Sequence, residues 1–292
     1  MNITLASSLG NIGQPLAQQL QEQGHDLTII SHSPARASQI EDLGATPMIG
    51  SLQDVDFLVS AFAKAESVFL MCPPDYQQPD IREYYRKTAA VYAKAIELTA
   101  VKRVVLLSSF GAHLSYGTGP ILGSYFTEQI ISAIPNIELT ILRPTYFYYN
   151  LMHNIDMIKY TGKIMANYGS KSFPLVSPRD IATVASQELV KEQSSIFKYI
   201  ASSHHTGKEI AATLGAAIGK PDLKWEIIDD AAVKKGMIDN GIPESIAQLY
   251  TEMYQSLENG RLNQDYDNHK PKQLGKVGLA DFAKDFAMAY NK

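Results

Sequence analysis

The chain has 292 residues, of which 45% are hydrophobic, a formal net charge of -4 and one cysteine. That apolar content can bury a sizeable core in one large domain or two modest ones. The charges are interspersed, with no lysine or arginine run to track a phosphate backbone, so nucleic acid is not the expected partner.

Cys72 alone allows no intramolecular disulfide, no Cys–His cluster has metal-ligand spacing, and no apolar run approaches the roughly 18 residues of a membrane span. No metal and no membrane are therefore expected. The first apolar stretch follows no basic residues and does not resemble a signal peptide, which makes a reducing, cytoplasmic compartment the natural expectation.

In chain order, short apolar runs rich in β-branched residues predict strands at 3–6, 27–30, 46–49, 67–71, 103–107 and 138–142. Helical spacing fills the intervals at 12–23, 34–43, 55–63, 82–99 and 125–133. This alternation predicts an α/β chain, a Rossmann-type doubly wound parallel sheet whose ligands sit beyond the carboxyl ends of the strands. After Arg143-Pro144 the rhythm breaks. Four successive aromatics, Tyr146 to Tyr149, precede a helical stretch, and Ser177 before Pro178 and Asp180 marks a capped start for a helix through 181–190. A strand in F-K-Y-I-A, a helix at 206–218, a strand around 224–228 and mostly helical stretches up to Tyr290 predict a smaller cap. The expected division is a sheet domain at 1–145 and a cap region at 146–292, interleaved with the sheet.

The stretch A-S-S-L-G-N-I-G, from Ala6 to Gly13, joins the first strand to the first helix. In a dinucleotide turn one glycine allows the tight turn, a second lets backbone approach the pyrophosphate, and a third permits close helix packing. Gly10 and Gly13 hold the second and third places; Ser7 holds the first. If that place needs positive φ, serine costs roughly 1 kcal/mol, although its hydroxyl could donate to a phosphate. The helix N-terminus near Asn11 and Ile12 supplies N–H groups and the positive end of a dipole. Taken alone, two glycines could equally serve a tight loop that binds nothing. At the end of the second strand I-I-S-H-S-P-A-R carries no acid, which favours NADP over NAD. His32 and Arg36 are the candidate contacts for the 2′-phosphate, helped by the hydroxyls of Ser31 and Ser33. An imidazole is mostly neutral above about pH 6.5, so the preference should lean on Arg36.

Five segments then combine: G-N-I-G-Q-P-L-A, V-F-L-M-C-P-P after the fourth strand, V-V-L-L-S-S-F-G-A after the fifth, L-T-I-L-R-P with its aromatics after the sixth, and S-P-R-D-I-A. In this order and spacing the chain resembles the NmrA-like atypical short-chain dehydrogenase/reductases. That family includes NAD(P)H-dependent quinone and azo-type reductases as well as cofactor-sensing regulators that turn nothing over. The resemblance implies dinucleotide contacts at Gly10, Asn11, Ile12 and Gly13 beside Ser7, at His32 and Arg36, at Met71, Cys72, Pro73 and Pro74, at Ser108 and Ser109, and at Pro144 and Tyr146. Two departures stand out: A-S-S-L-G in place of T-G-A-T-G, and Phe126 two residues before Glu128, where many relatives carry a lysine.

Enzymes that interconvert alcohols and carbonyls on this scaffold pair a tyrosine with a lysine four residues later, whose charge lowers the phenol pKa. Here Tyr116 is followed at that spacing by Pro120, and Tyr125 by Gln129. The literal match from Tyr266 to Lys270 falls in the C-terminal helical region and is a coincidence. Tyr125 and His113 remain as candidates for proton transfer. Tyr116, Phe147 and Tyr149 could form a wall for a flat substrate. His204 and His205 lack further ligands for a metal, Cys72 has no basic neighbour to activate it, and Trp225 is expected in a core. The reading that follows is an oxidoreductase passing hydride from NADPH, or NADH, to a quinone-like or other conjugated aromatic acceptor. The competing reading is a non-catalytic dinucleotide sensor whose cap binds a partner protein; a nucleotide-sugar epimerase is disfavoured by the missing pair.

Overall fold

Strands that carry apolar residues on both faces belong inside a parallel sheet covered on both sides. The computed structural model, which describes residues 1–75, 77–191 and 196–292, places them there. In chain order come β1 (Asn2–Ala6), α1 (Gly13–Glu22), β2 (Asp26–Ser31), α2 (Ala37–Asp42), β3 (Thr46–Ile49), α3 (Val55–Phe62), β4 (Ser67–Met71), α4 (Ile81–Glu97), β5 (Arg103–Leu107), α5 (Leu122–Ser132) and β6 (Glu138–Pro144). They are followed by β7 (Tyr146–Phe147), α6 (Ile155–Thr161), β8 (Lys163–Ala166), β9 (Phe173–Val176), α7 (Pro178–Val190) and β10 (Phe197–Ile200). The chain finishes with β11 (Ser203–His205), α8 (Gly207–Ala217), β12 (Lys224–Ile227), α9 (Asp230–Asp239), α10 (Glu244–Glu258), α11 (Asn263–Asn268) and α12 (Leu279–Tyr290).

The main sheet has seven strands in the order β10-β6-β5-β4-β1-β2-β3. Leu5 lies opposite Ile29 on one side and Phe69 on the other, and Phe69 opposite Val105. The six expected strands are all present; F-K-Y-I-A adds the seventh, beside β6, with the Ile141 N–H donating to the Ile196 carbonyl at 3.1 Å. The order runs outward from β1 to β3 and then returns to β4. That reversal puts the switch point, at which doubly wound sheets take their ligands, at the carboxyl ends of β1 and β4. Behind it the core is closed by Leu58, Phe62, Tyr92, Ala95 and Ile96 from the helices and by Val68, Leu70, Val104 and Leu106 from the strands, all buried. Thr4, buried in β1, donates its hydroxyl to the Ala61 carbonyl at 3.0 Å, so its polar group is satisfied within the core.

The chain folds into two compact units. The first comprises Met1–Ala112, Gly123–Arg143 and Ile181–Lys198; the second comprises His113–Leu122, Pro144–Asp180 and Tyr199–Lys292. The second has two small sheets, β11-β9-β7 and β12-β8, with helices around them. Asp180 is a buried anchor in it: its carboxylate accepts the Ser202 hydroxyl at 2.6 Å and the N–H groups of Lys276 and Val277 at 2.9 and 3.1 Å. Trp225 is half-buried and packs where Gly169 and Gly207 leave room, donating its indole N–H to the Tyr168 carbonyl at 2.8 Å. Among the described residues, no helix is long and apolar enough to cross a membrane.

Candidate functional site

The β1–α1 turn is built by two glycines with different duties. A Cβ on Gly13 would overlap the carbonyl oxygen of Ser8, so only glycine lets α1 begin against the end of β1. At Gly10 a Cβ would meet nothing within 4 Å, and the residue is exposed. Neither has positive φ, and among the described non-glycine residues only Asn136 does. Ser7 is therefore unstrained, and the left-handed first position that would have demanded glycine does not exist in this turn. Its hydroxyl is buried with no hydrogen-bond partner among the described residues, leaving an unsatisfied donor beneath the turn. Helix α1 has no side-chain cap at its N-terminus and no acid in its first turn, so neither device offsets the positive end of its dipole. Open space at Gly10, an uncapped helix end and an orphan hydroxyl together fit the pyrophosphate of a dinucleotide.

Beyond β2 the backbone is tied to this turn. Ser31 accepts the Ser8 hydroxyl at 3.2 Å and the Ser33 N–H at 3.2 Å, so its own hydroxyl shapes the loop. Arg36 reaches from the start of α2 to donate to the Leu9 carbonyl at 3.0 Å and to the Gln39 side chain at 2.9 Å. Its guanidinium is thus held at the lip of the glycine turn, exposed, and without an acid partner among the described residues. His32 is exposed beside it.

At the end of β4 the phenol of buried Tyr92 donates to the Met71 carbonyl at 2.8 Å and fixes the strand's last residue. Cys72 follows, with its thiol pushed up to about 12 by burial, against a small opposing effect from Thr127. It is a packing residue and no nucleophile at neutral pH. Pro73 is half-buried and Pro74 exposed.

The end of β5 differs. Ser108 donates its hydroxyl to Glu128 of α5 at 2.5 Å, and the same carboxylate is gripped by Arg143 of β6 through Nε at 3.0 Å and Nη2 at 2.7 Å. All three are buried, and the guanidinium of Arg143 also lies 4.8 Å from the Phe197 ring centre. Glu128 and Arg143 were not among the predicted site residues. Their signal was weak: one carboxylate on an apolar stretch of helix and one arginine closing an apolar strand. Ser109 donates to the Phe110 carbonyl at 3.1 Å. Where relatives in the resembled family carry a lysine, Phe126 has the Arg86 guanidinium 4.0 Å from its ring centre, so a cation reaches this place from α4. Tyr125, half-buried, packs edge-on against Phe126.

The remaining predicted residues lie in the second unit. Pro144 is buried and His113 half-buried. Tyr146 shares a hydrogen bond with Tyr168, the two phenol oxygens 2.8 Å apart, and burial pushes both phenols well above their ordinary range. Tyr148 turns inward to Ser203 at 2.6 Å and stacks on Phe282, whereas Phe147 and Tyr149 stack on each other with ring centres 5.1 Å apart. The aromatic run therefore divides: Tyr148 is core, and Phe147 with Tyr149 forms a half-buried pair. Tyr116 is exposed. Tyr266, in the tyrosine-lysine match of the C-terminal region, has its phenol oxygen bonded to His204 at 2.8 Å, while the Lys270 ammonium pairs with Asp267 and lies 5.9 Å from the Tyr266 ring centre.

A family model described as NAD(P)H-binding matches residues 8–192. The NAD(P)H azoreductase of Xenophilus azovorans is 26% identical over 294 residues, spanning 99% of this chain and 99% of that protein. The NADPH-dependent quinone oxidoreductase QOR2 of Escherichia coli, solved with NADPH, superposes with a TM-score of 0.81 at 19% identity, over 97% of this chain and 99% of that one. The triphenylmethane reductase of Citrobacter sp., solved with NADP(H), gives 0.79 at 21% identity over 97% and 99%. At these identities the two structures establish a shared fold.

Proposed function

The chain belongs to the NAD(P)H-binding family, and on that premise we propose that it is an NADPH-preferring oxidoreductase that reduces a quinone-like or azo-type conjugated acceptor. The observation that carries the reading is the β1–α1 turn, open at Gly10, uncapped at α1 and flanked by the tethered guanidinium of Arg36. The N–H groups about Gly10 to Gly13 would hold the pyrophosphate, and Arg36 the 2′-phosphate, for which a fixed guanidinium is better suited than an imidazole. Ser108 and Ser109 are the proposed neighbours of the nicotinamide end. NADPH when bound supplies a hydride, so this chain's own task is to orient the two reactants.

Two-electron reduction of a quinone needs a hydride and a proton, and the proton can come from water. A tyrosine acid is then dispensable, which agrees with Pro120 and Gln129 standing where lysines would support Tyr116 and Tyr125. Phe147, Tyr149 and Tyr116 are the proposed wall against which a flat acceptor stacks. The named activities of the azoreductase and quinone oxidoreductase relatives fall in the same class.

Thermal melting with NADP and with NAD, followed by NADPH oxidation with naphthoquinone and with an azo dye, tests the proposal. NADP should raise the melting temperature more than NAD, and acceptor should accelerate NADPH loss. If neither nucleotide shifts the melt at concentrations near 100 times a typical dissociation constant, where about 2.7 kcal/mol is expected, the reading fails. Binding without turnover across both acceptor classes returns the protein to the sensor reading.

A further inference from the structure

Tyr116 is 68% exposed, yet it is among the more carefully supported side chains of the second unit. Arg261, which follows α10, lies with its guanidinium carbon 4.5 Å from the Tyr116 ring centre and donates through Nη2 to the Tyr116 carbonyl at 3.1 Å. The neighbouring Gly117 has a φ of +72°, and a Cβ there would overlap the Arg261 guanidinium. Gly119 has a φ of +56°, and a Cβ there would overlap the Leu249 carbonyl of α10. Ser256 of α10 donates its hydroxyl to the Gly117 carbonyl. The segment S-Y-G-T-G thus uses two left-handed glycines, an arginine and a serine to hold one aromatic ring out toward solvent.

Among the described residues no acid forms an ion pair with Arg261. Its charge lies over one face of the phenol ring and leaves the other face for stacking, so that a ring stacked there reaches the uncompensated cation with a substituent that extends past the edge of the phenol. A flat ring bearing an acid group satisfies both requirements at once. A neutral flat ring satisfies only the first. Tyr116 follows β5 in the chain and belongs to the wall proposed above for a flat acceptor.

We propose that Tyr116 and Arg261 form an anion-selective stacking platform, which makes acidic aromatic acceptors, carrying a sulfonate or carboxylate, the preferred substrate class. The inference rests on the reductase reading for the word substrate, but the platform is testable by binding alone. Calorimetric titration of the full chain, saturated with NADP, with naphthoquinone and with naphthoquinone sulfonate measures the ratio of the two affinities. The sulfonate should bind about tenfold tighter at low salt, with the gap narrowing as salt screens the charge. Arg261→Gln should bring the ratio close to one, whereas Arg261→Lys, which keeps the charge, should retain most of it. Tyr116→Leu should weaken both ligands together and leave the ratio standing.

Equal binding of the two probes by the native chain overturns the proposal, as does a ratio that survives Arg261→Gln or is lost equally in Arg261→Lys. The lysine variant guards against a loop that merely collapses. Selective binding of the sulfonate with no NADPH oxidation would instead remove the reductase reading and leave the platform in place.

Discussion

Two strand ends of the first unit, β1 and β5, each deliver a serine to the carboxyl edge of the same sheet, and the protein treats them in opposite ways. At β1 the Ser7 hydroxyl has no partner among the described residues, Gly10 faces empty space and α1 opens without a side-chain cap or an acid in its first turn. At β5 the Ser108 hydroxyl is closed onto Glu128, which Arg143 grips with two hydrogen bonds. An unsatisfied donor and an uncompensated helix dipole persist in a fold where a ligand can meet them; a buried carboxylate must be met by the protein itself. The contrast separates a surface kept for an anion from a clamp that holds β5, α5 and β6 in register, and each side of it can be broken separately.

The largest effect belongs to the clamp. Arg143→Met leaves Glu128 buried against Ser108 with its main counter-charge gone, and should destabilise the chain by about 3–5 kcal/mol, read by chemical denaturation. Adding Glu128→Gln should recover a good part of that loss, because the amide carries no charge to strand. A cost below about 1 kcal/mol for Arg143→Met would mean that Glu128 is not committed to the pair, and the contrast with β1 would lose its basis.

The next effect divides the two glycines of the turn. Gly13→Ala forces a methyl into the Ser8 carbonyl, where only backbone can give way, and should cost about 1–3 kcal/mol of stability. Gly10→Ala places its methyl in open space at unstrained φ, so stability should stay within about 0.5 kcal/mol. Yet that methyl fills the room proposed for the pyrophosphate, and affinity for NADP and NAD alike should fall about tenfold or more, some 1.4 kcal/mol. Unchanged nucleotide binding in Gly10→Ala would show that the open space is not the binding surface. A smaller and more selective change is expected from Arg36→Ala: roughly tenfold weaker NADP with NAD little altered, since the lost contact is to the 2′-phosphate alone. Equal loss of both nucleotides would make Arg36 a loop brace through the Leu9 carbonyl.

What the residues revealed before folding follows the range of the interactions involved. The strands from β1 to β6 were legible because apolar β-branched runs are local, and all six lie within two residues of their expected bounds. F-K-Y-I-A read as a strand, but its place beside β6 did not, because a position in a parallel sheet is set by a partner far away in the chain. The turn at Gly10 and Gly13 lies between β1 and α1, where the residues predict it. The concern over Ser7 dissolved once its backbone proved to lie outside the left-handed region. Ser108 was identified without its partners: nothing in S-S-F-G-A announces that a carboxylate from α5 and an arginine from β6 will close on it. In the same way Y-F-Y-Y presented four equivalent aromatics, and only packing against Ser203 and Phe282 separates Tyr148 from its neighbours.

The smallest effect concerns Cys72, which sits at the carboxyl end of β4 between the open and the closed strand ends. Burial raises its thiol to about 12 from an ordinary 9.0. The folded chain therefore keeps this proton across a range in which the unfolded chain releases it, and folding stability is full below about pH 9 and falls as pH rises toward 12. Cys72→Ala removes that dependence, so its stability relative to the native chain should rise by about 1.4 kcal/mol between neutral pH and about pH 10, whatever constant cost the lost sulfur adds. The phenols of Tyr84 and Tyr92 titrate in the same range and are raised chiefly by burial, which both chains share and which cancels in the difference; only the smaller part of their rise that comes from the Cys72 charge does not. A thiol reagent gives an independent reading: at about pH 8 it should label the folded chain far more slowly than the chain in urea, because both burial and the protonated state oppose attack. Equal labelling rates would make Cys72 accessible, and the strand end between β1 and β5 would then belong with the open surface at Gly10.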